Sequence, residues 1–321
     1  MAKLQSSEFV GVANRPATIC VDTVCLWFDT TNLKPMASYC SRSVAGVWSA
    51  GGALITGRYG VAGAGTQNEG LASGGGNGSN LICTEEYNGT SWSSGGSLIT
   101  ARCYTTGAGT QNEGLAVGGY TGVAKLSCTE EYNGTSWSAG GALIAARYGS
   151  SSGTQNEAFA AGGFININVS CTEEYNGTSW SASGVLITAR RLLAGVGTQN
   201  VGLAVGGFTN VGVSCTEEYN GTSWLAGGNL IIGRNTLAGA GTQNAGLVAG
   251  GIQNINPGVS CTEEYNGTSW SAGGVLIISR ESLSGAGSQG AGLVIGGYTN
   301  GAVSCTEEYL KSSYTIVDFI L

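Results

Sequence analysis

Cys128-Thr-Glu-Glu-Tyr-Asn-Gly-Thr-Ser-Trp137 decides how this chain is read, because the same ten residues occur five times. They return at Cys83 to Trp92, Cys171 to Trp180, Cys215 to Trp224 and Cys261 to Trp270. A sixth copy begins at Cys305 and breaks off after Tyr309, while Trp48, in Val47-Trp-Ser-Ala-Gly-Gly52, ends a copy whose beginning is missing. A fixed internal period means stacked units that share one body, which overrides the two domains that length alone suggests. The chain starts and stops out of phase with its own repeat, and that offset bears directly on the architecture.

Working outward, one unit runs from Arg102 to Arg147. Tyr104 to Thr110 is small and apolar and reads as a tight inner strand. Gly114-Leu-Ala-Val-Gly-Gly119 reads as a second strand, ending on a glycine pair that permits unusual φ values. A variable loop, Tyr120 to Leu126, leads to a third strand, Ser127 to Tyr132. Asn133-Gly134 is the signal for a two-residue type I′ hairpin turn. Thr135 to Ala139 forms the fourth strand, and Gly140 to Arg147 crosses to the next unit. Four short antiparallel strands in about 45 residues make one blade of a β-propeller.

Composition agrees. Glycine is 57 of 321 residues and charged residues are only 10%, which suits short, densely packed strands with tight turns. Hydrophobic content of 42% argues against disorder. The net charge of -7 comes mainly from the repeated Glu pair, and without a basic stripe nucleic acid is not an expected partner. Met1 to Val10 lacks the apolar segment of a secretion signal, and no run reaches the ~18 apolar residues of a membrane span. Six of the ten cysteines (Cys83, Cys128, Cys171, Cys215, Cys261, Cys305) occupy one equivalent position, a whole unit apart. A disulfide needs Cα atoms within about 7 Å, so these are expected to be small, buried, free thiols.

The string Arg102, Gly118-Gly119, Glu130, Tyr132, Trp137, Arg147 resembles the kelch motif, and the resemblance covers residues 48 to 309. It implies that the first strand of each blade lines a central channel and the fourth lies outermost. It also implies that Glu85, Glu130, Glu173, Glu217, Glu263 and Glu307 are structural. Six inner units are marked by Gly-Thr-Gln-Asn or, at Gly287 to Gly290, a drifted form of it. The last blade lacks its Trp strand and the Trp48 strand lacks its blade. The expected fold is therefore all-β, a six-bladed kelch-like β-propeller closed by strand exchange between the N- and C-terminal parts. A rival count makes residues 20 to 52 a seventh blade, with Tyr314 to Leu321 completing the sixth.

Residues 1–42 stand outside the repeat as a short N-terminal β arm, residues 43–309 form the propeller, and residues 310–321 are a C-terminal tail. Ile19 to Phe28 has strand composition and Asp29 to Asn32 reads as a turn. Leu26-Trp-Phe-Asp-Thr-Thr-Asn-Leu33, followed by Val47-Trp48, resembles a short β-meander of bacteriophage tail-fibre and other virion proteins. Pro35 and the adjoining Met-Ala-Ser depart from that pattern.

Chemistry has little to work with. The chain has no His, which removes His-dependent triads and His-ligated copper or zinc. Asp22, Asp29 and Asp318 all lie outside the repeats, and consecutive Glu residues in a strand point to opposite faces. No enzyme activity, metal or cofactor is expected. The series Arg58, Arg102, Arg147, Arg190, Arg234 and Arg280 supplies one guanidinium per blade. By the kelch resemblance it lies near the channel mouth, where it either binds carboxylates, sulfates or phosphates or stitches each blade to a neighbour's glutamate or to backbone carbonyls.

The copies differ in two windows. After each Arg stand Tyr59-Gly60, Cys103-Tyr104, Tyr148-Gly149, Arg191-Leu192, Asn235-Thr236 and Glu281-Ser282. After each glycine pair the chain varies again, with Tyr120, Phe164, Phe208 and Tyr298 and with Asn166, Asn210, Asn254 and Asn300. Aromatic faces and amides on loops suit carbohydrate or protein surfaces. The functional expectation is a non-enzymatic phage virion protein, in a tail or fibre, presenting the propeller for receptor binding or adhesion. Its partners would be other virion proteins, through the arm, and a host-surface glycan or protein. It would fold in the host cytoplasm and be built into the virion, as a homo-oligomer where several copies assemble. A structural head-decorating, neck or baseplate protein is the alternative, and a bacterial kelch-type adhesin or enzyme a third.

Overall fold

In the computed structural model the described residues are 46–254 and 258–311, with strand residues 19–21, 24–29, 34–39 and 319–320. The chain separates into two compact units, Gly46–Lys311 and the remainder from both ends. The larger unit is six four-stranded antiparallel sheets, five of them with their strands in sequential order across the sheet. Blade 2 shows the pattern: Thr106–Gly109, Gly114–Val117, Thr129–Tyr132 and Trp137–Ala139. The first strands begin near Ala62, Thr106, Tyr148, Ala194, Ala238 and Ser284 for blades 1 to 6. First strands of successive blades lie side by side, and that of blade 6 meets that of blade 1. The first strand is innermost, as expected, and lines a narrow central channel of about 260 Å³.

Ring closure follows the broken repeat. Val47–Ala50 is the fourth strand of blade 6, pairing antiparallel with Thr306–Leu310 so that Trp48 stands opposite Tyr309. Closure leaves no blade short of its outer strand. The rival seven-blade count is not formed.

Each blade reaches back to the one before it. The Trp137 indole donates to Thr84 Oγ1 at 2.9 Å and the Tyr132 hydroxyl donates to Glu86 Oε1 at 2.5 Å. The Gln111 amide donates to the carbonyls of Gly70 and Tyr87 at 3.0 and 2.6 Å. The core is accordingly a set of layers between blades, one of them Ala62, Ala64, Leu71 and Leu98 against Ala116, Tyr132 and Trp137. The inner strands approach so closely that a Cβ on Gly107 would lie 2.5 Å from the Gly63 carbonyl oxygen, which explains the Ala-Gly composition there.

Two local readings change. Register pairs Tyr132 directly with Trp137, so Asn133-Gly-Thr-Ser136 is a four-residue loop and not a two-residue turn. Asn133 Oδ1 accepts from the backbone N–H of Thr135 and Ser136 at 3.0 and 2.9 Å, the side-chain turn that competes with the type I′ form. The repeated cysteines are free but half-buried, not buried.

In the smaller unit, Ile19–Val21, Val24–Asp29, Lys34–Tyr39 and Phe319–Ile320 form one antiparallel sheet in that order. The apolar run Ile19 to Phe28 is thus two paired strands, with Cys20 opposite Cys25. The arm and the C-terminal tail, expected to be separate, share this sheet. The turn read at Asp29 to Asn32 falls largely outside the described residues.

Candidate functional site

The arginine series does not face a ligand. Arg58, Arg102, Arg190, Arg234 and Arg280 are 0% exposed and Arg147 is 1% exposed. Each is ion-paired with the first member of the Glu-Glu pair in its own blade, not a neighbour's: Arg58–Glu85, Arg102–Glu130, Arg147–Glu173, Arg190–Glu217, Arg234–Glu263 and Arg280–Glu307. Glu130 also accepts from the N–H groups of Ile99 and Thr100 at 2.7 and 3.1 Å, fixing the segment that crosses into blade 2. Arg102 donates to the carbonyls of Gly118 and Cys128 at 3.1 and 3.0 Å. The guanidinium therefore joins the crossing segment, the end of the second strand and the start of the third. Buried to 0–1% exposure and each paired with a glutamate, the six guanidinium groups are closed to a ligand.

The residue after each arginine is another matter. In every blade it bridges, backbone to backbone, to the residue after the glycine pair. The pairs are Tyr59 with Gly76, Cys103 with Tyr120, Tyr148 with Phe164, Arg191 with Phe208, Asn235 with Ile252 and Glu281 with Tyr298. The two variable windows are thus one feature, read across a strand pair at one end of the channel. The next residue carries a left-handed backbone in four blades without being glycine: Tyr104 (φ 49°), Leu192 (56°), Thr236 (54°) and Ser282 (53°). For β-branched Thr236 that conformation is a true outlier, of the kind that concentrates at functional sites. Its cause is visible in the backbone. Gly60 N–H donates to Ser282 O at 2.8 Å, Ser282 N–H to Thr236 O at 2.9 Å and Thr236 N–H to Leu192 O at 2.9 Å. Leu192, Thr236 and Ser282 thus tie blades 4, 5, 6 and 1 together at the mouth.

These pairs enclose a cavity of about 680 Å³. Its wall is a continuous arc of rings. Tyr298 lies 5.4 Å from Tyr59, Tyr59 6.0 Å from Tyr104, Tyr104 5.9 Å from Tyr148, and Tyr148 5.6 Å from Phe164, centroid to centroid. The Arg191 guanidinium continues it, 4.5 Å from the Phe164 ring and 4.9 Å from that of Phe208. Lys125 Nζ sits 5.2 Å from the Phe164 ring as well. Each aromatic pair contributes about 0.5–1.5 kcal/mol beyond burial, so the arc is a stiff wall. The rest of the rim is Asn235, Thr236, Ile252, Glu281 and Ser282. Burial pushes Tyr104 up to about 12 and raises the Glu281 carboxyl above its usual range, countered by the Thr236 hydroxyl, which donates to it at 3.2 Å.

Of the residues singled out in the sequence, Tyr120, Phe164 and Tyr298 line this cavity, and Phe208 touches Arg191 without lining it. The asparagines Asn166, Asn210, Asn254 and Asn300 are exposed and lie off the cavity wall. Asn166 accepts from Lys125 Nζ at 2.7 Å and Asn254 accepts from the Gly212 N–H at 3.0 Å, so both serve loop structure. Tyr59, Tyr104, Tyr148, Arg191 and Glu281 are noted in the sequence as variable but not as site residues, and Lys125 is not noted at all. The signal for most of them was the first variable window, which starts immediately after each buried arginine.

No protein-family model matches the chain, and no curated protein matches it closely enough to count as a relative.

Proposed function

We propose that this protein is a non-enzymatic binding propeller that engages its target through the aromatic cavity at the channel mouth. The single observation that carries this is the arc Tyr298–Tyr59–Tyr104–Tyr148–Phe164. Five half-buried rings face one cavity, on the positions that vary between otherwise near-identical blades. A framework of six buried ion pairs holds the wall rigid while the wall residues differ, which is how a scaffold carries specificity. The setting we assign is a bacteriophage tail or fibre, with the cavity used for receptor binding or adhesion. Support for that setting is the likeness of residues 26–33 and 47–48 to a virion β-meander. The antiparallel pairing of Val24–Asp29 with Lys34–Tyr39 accords with it.

The test is retention of the full chain on host cell envelopes and on a glycan array, with Tyr148→Ala alongside. Tyr148 stands in the middle of the arc, so its loss should abolish retention while the melting transition persists. Unchanged retention by Tyr148→Ala rejects the cavity as the binding site. Immunogold labelling of particles tests the setting, and label absent from the tail rejects it.

A second reading, packing against other virion proteins, draws on one observation. Ile55, Ile99, Ile144, Ile187, Ile231 and Ile277 repeat at one position per blade and are 59–66% exposed. Serine at all six should then block particle assembly and leave envelope binding intact.

A further inference from the structure

We propose that the Lys125–Arg191 end of the cavity is an anion subsite for the carboxylate of an acidic sugar whose ring lies along the tyrosine arc. This deepens the binding role argued above and rests on it.

The charge balance of the propeller sets the site apart. Between residues 46 and 311 the chain has nine Lys and Arg residues. Seven of them, the six blade arginines and Lys311, are each paired with a glutamate. Lys125 and Arg191 make no ion pair among the described residues. They come from different blades, one from the loop after the second strand of blade 2 and the other from the entry to blade 4. Yet both converge on one ring, Phe164, from the third blade between them. Among the described residues of the propeller this is the place where positive charge is left without an ion-pair partner.

The two cations are prepared differently for an anion. Arg191 is half-buried with its guanidinium against Phe164 and Phe208, and its side chain donates no hydrogen bond to the protein among the described residues. Aromatic contact fixes the plane of the group while leaving its donors free, the condition under which it grips a carboxylate with two parallel bonds. Lys125 spends one donor on Asn166, leaving two. Arg191 supplies the fork that grips the anionic group, and Lys125, against the same ring, adds a second positive charge at that end of the cavity.

What the rest of the cavity offers argues for a sugar. Tyr148, Tyr104 and Tyr59 present faces to pack against the C–H side of a pyranose ring and hydroxyls to pair with its own. None of these three hydroxyls is hydrogen-bonded to the protein among the described residues, whereas that of Tyr120 donates to the Gly122 carbonyl at 2.7 Å. A space of about 680 Å³ accommodates a short saccharide. Glu281, the acid of the rim, belongs to blade 6, two blades from Arg191, and so is not the neighbour of the anion subsite.

The test is ligand-observed NMR and calorimetry on the full chain with four probes: a glucuronate disaccharide, 3′-sialyllactose, 6-sulfated lactose and lactose. A carboxylate-bearing probe should bind, lactose at least about tenfold more weakly, and affinity should fall as NaCl is raised. Arg191→Gln should lower affinity for the acidic probe by about tenfold or more, the usual scale for a charge-assisted pair, without shifting the melting midpoint. Arg191→Lys, which keeps charge but not the fork, should recover only part of it. Equal binding of lactose, or an Arg191→Gln chain that binds every acidic probe unchanged, overturns the proposal. Binding confined to the sulfated probe overturns the carboxylate assignment. If Tyr148→Ala abolishes binding of a neutral sugar that Arg191→Gln leaves intact, the binding role stands and the anion subsite falls. If neither variant alters binding, both fall.

Discussion

Trp48 and Tyr309, from opposite ends of the repeat array, stack with ring centroids 4.8 Å apart, as Tyr132 and Trp137 do at 4.9 Å within an uninterrupted blade. The Trp48 indole also donates to Thr262 Oγ1 of blade 5 at 2.9 Å, repeating the bond that Trp137 makes to Thr84. The closing blade therefore repeats the contacts of the others. Trp48→Ala should destabilise the protein by about 3–5 kcal/mol, the range for removing a buried indole, and by the same amount as Trp137→Ala. Urea denaturation followed by tryptophan fluorescence checks both. A silent Trp48→Ala would mean that the ring is not closed by that strand. A chain beginning at Gly46 should keep the transition and one beginning at Gly51 should lose it.

The buried pair Arg147–Glu173 yields a second expectation. Arg147 is 1% exposed and Glu173 2% exposed, so removing the cation strands an unneutralised carboxylate inside the sheet. Arg147→Ala should cost about 3–5 kcal/mol, and Arg147→Met combined with Glu173→Gln should recover much of that. The folded fraction should bind at the channel mouth as before. Loss of binding without loss of stability would return the arginine series to the ligand site.

The blade architecture was readable because it is written as period and pattern, and each copy votes for the same strands. Strand exchange was readable for the same reason, from Trp48 without a blade and Tyr309 without a Trp. Local signals did less well. Asn133-Gly134 carries the commonest hairpin dipeptide, but the Asn side chain captures the N–H groups of Thr135 and Ser136 and widens the loop. The arginines were visible as a ring, but only burial shows that they are spent on Glu85 and its equivalents. The cavity was the least legible part. Tyr59, Tyr104 and Tyr148 are single variations in separate copies, and they become one wall only when closure sets Tyr298 of blade 6 against Tyr59 of blade 1.

The hydroxyls that join blades should make the ring sensitive to alkali. Burial first, and then hydrogen bonding to Glu86, Glu131 and Glu174, raises Tyr132, Tyr175 and Tyr219 from 10.0 to about 12. Folding thus favours the protonated phenol. The stabilisation is fully present below the ordinary tyrosine value and is lost as pH rises through the folded one. Melting midpoints should hold steady to about pH 10 and fall steeply toward pH 12, on the ordinary scale of tyrosine titration. Tyr132→Phe should lower the midpoint at neutral pH and reduce the alkaline slope. A midpoint unchanged across that window would show that these bonds contribute nothing to joining the blades.

Glu281 should behave in the opposite region of the scale. Burial in the cavity rim raises its carboxyl above the usual value of 4.5, with the Thr236 hydroxyl opposing the shift. A raised folded value means that the protein binds this proton more tightly than the unfolded chain does. Its contribution is most favourable below the unfolded value and is lost as pH rises through the folded one, leaving a penalty at neutral pH. Glu281→Gln, which keeps the shape and removes the charge, should therefore raise the melting midpoint at pH 7, and the gain should vanish in acid below about pH 4, where the ordinary carboxylate is protonated. Removing the rim's acid should also strengthen binding of an anionic ligand, most clearly at low salt, by removing like-charge repulsion. A Glu281→Gln chain less stable than the parent at neutral pH would show that the carboxylate is held by interactions that outweigh its burial.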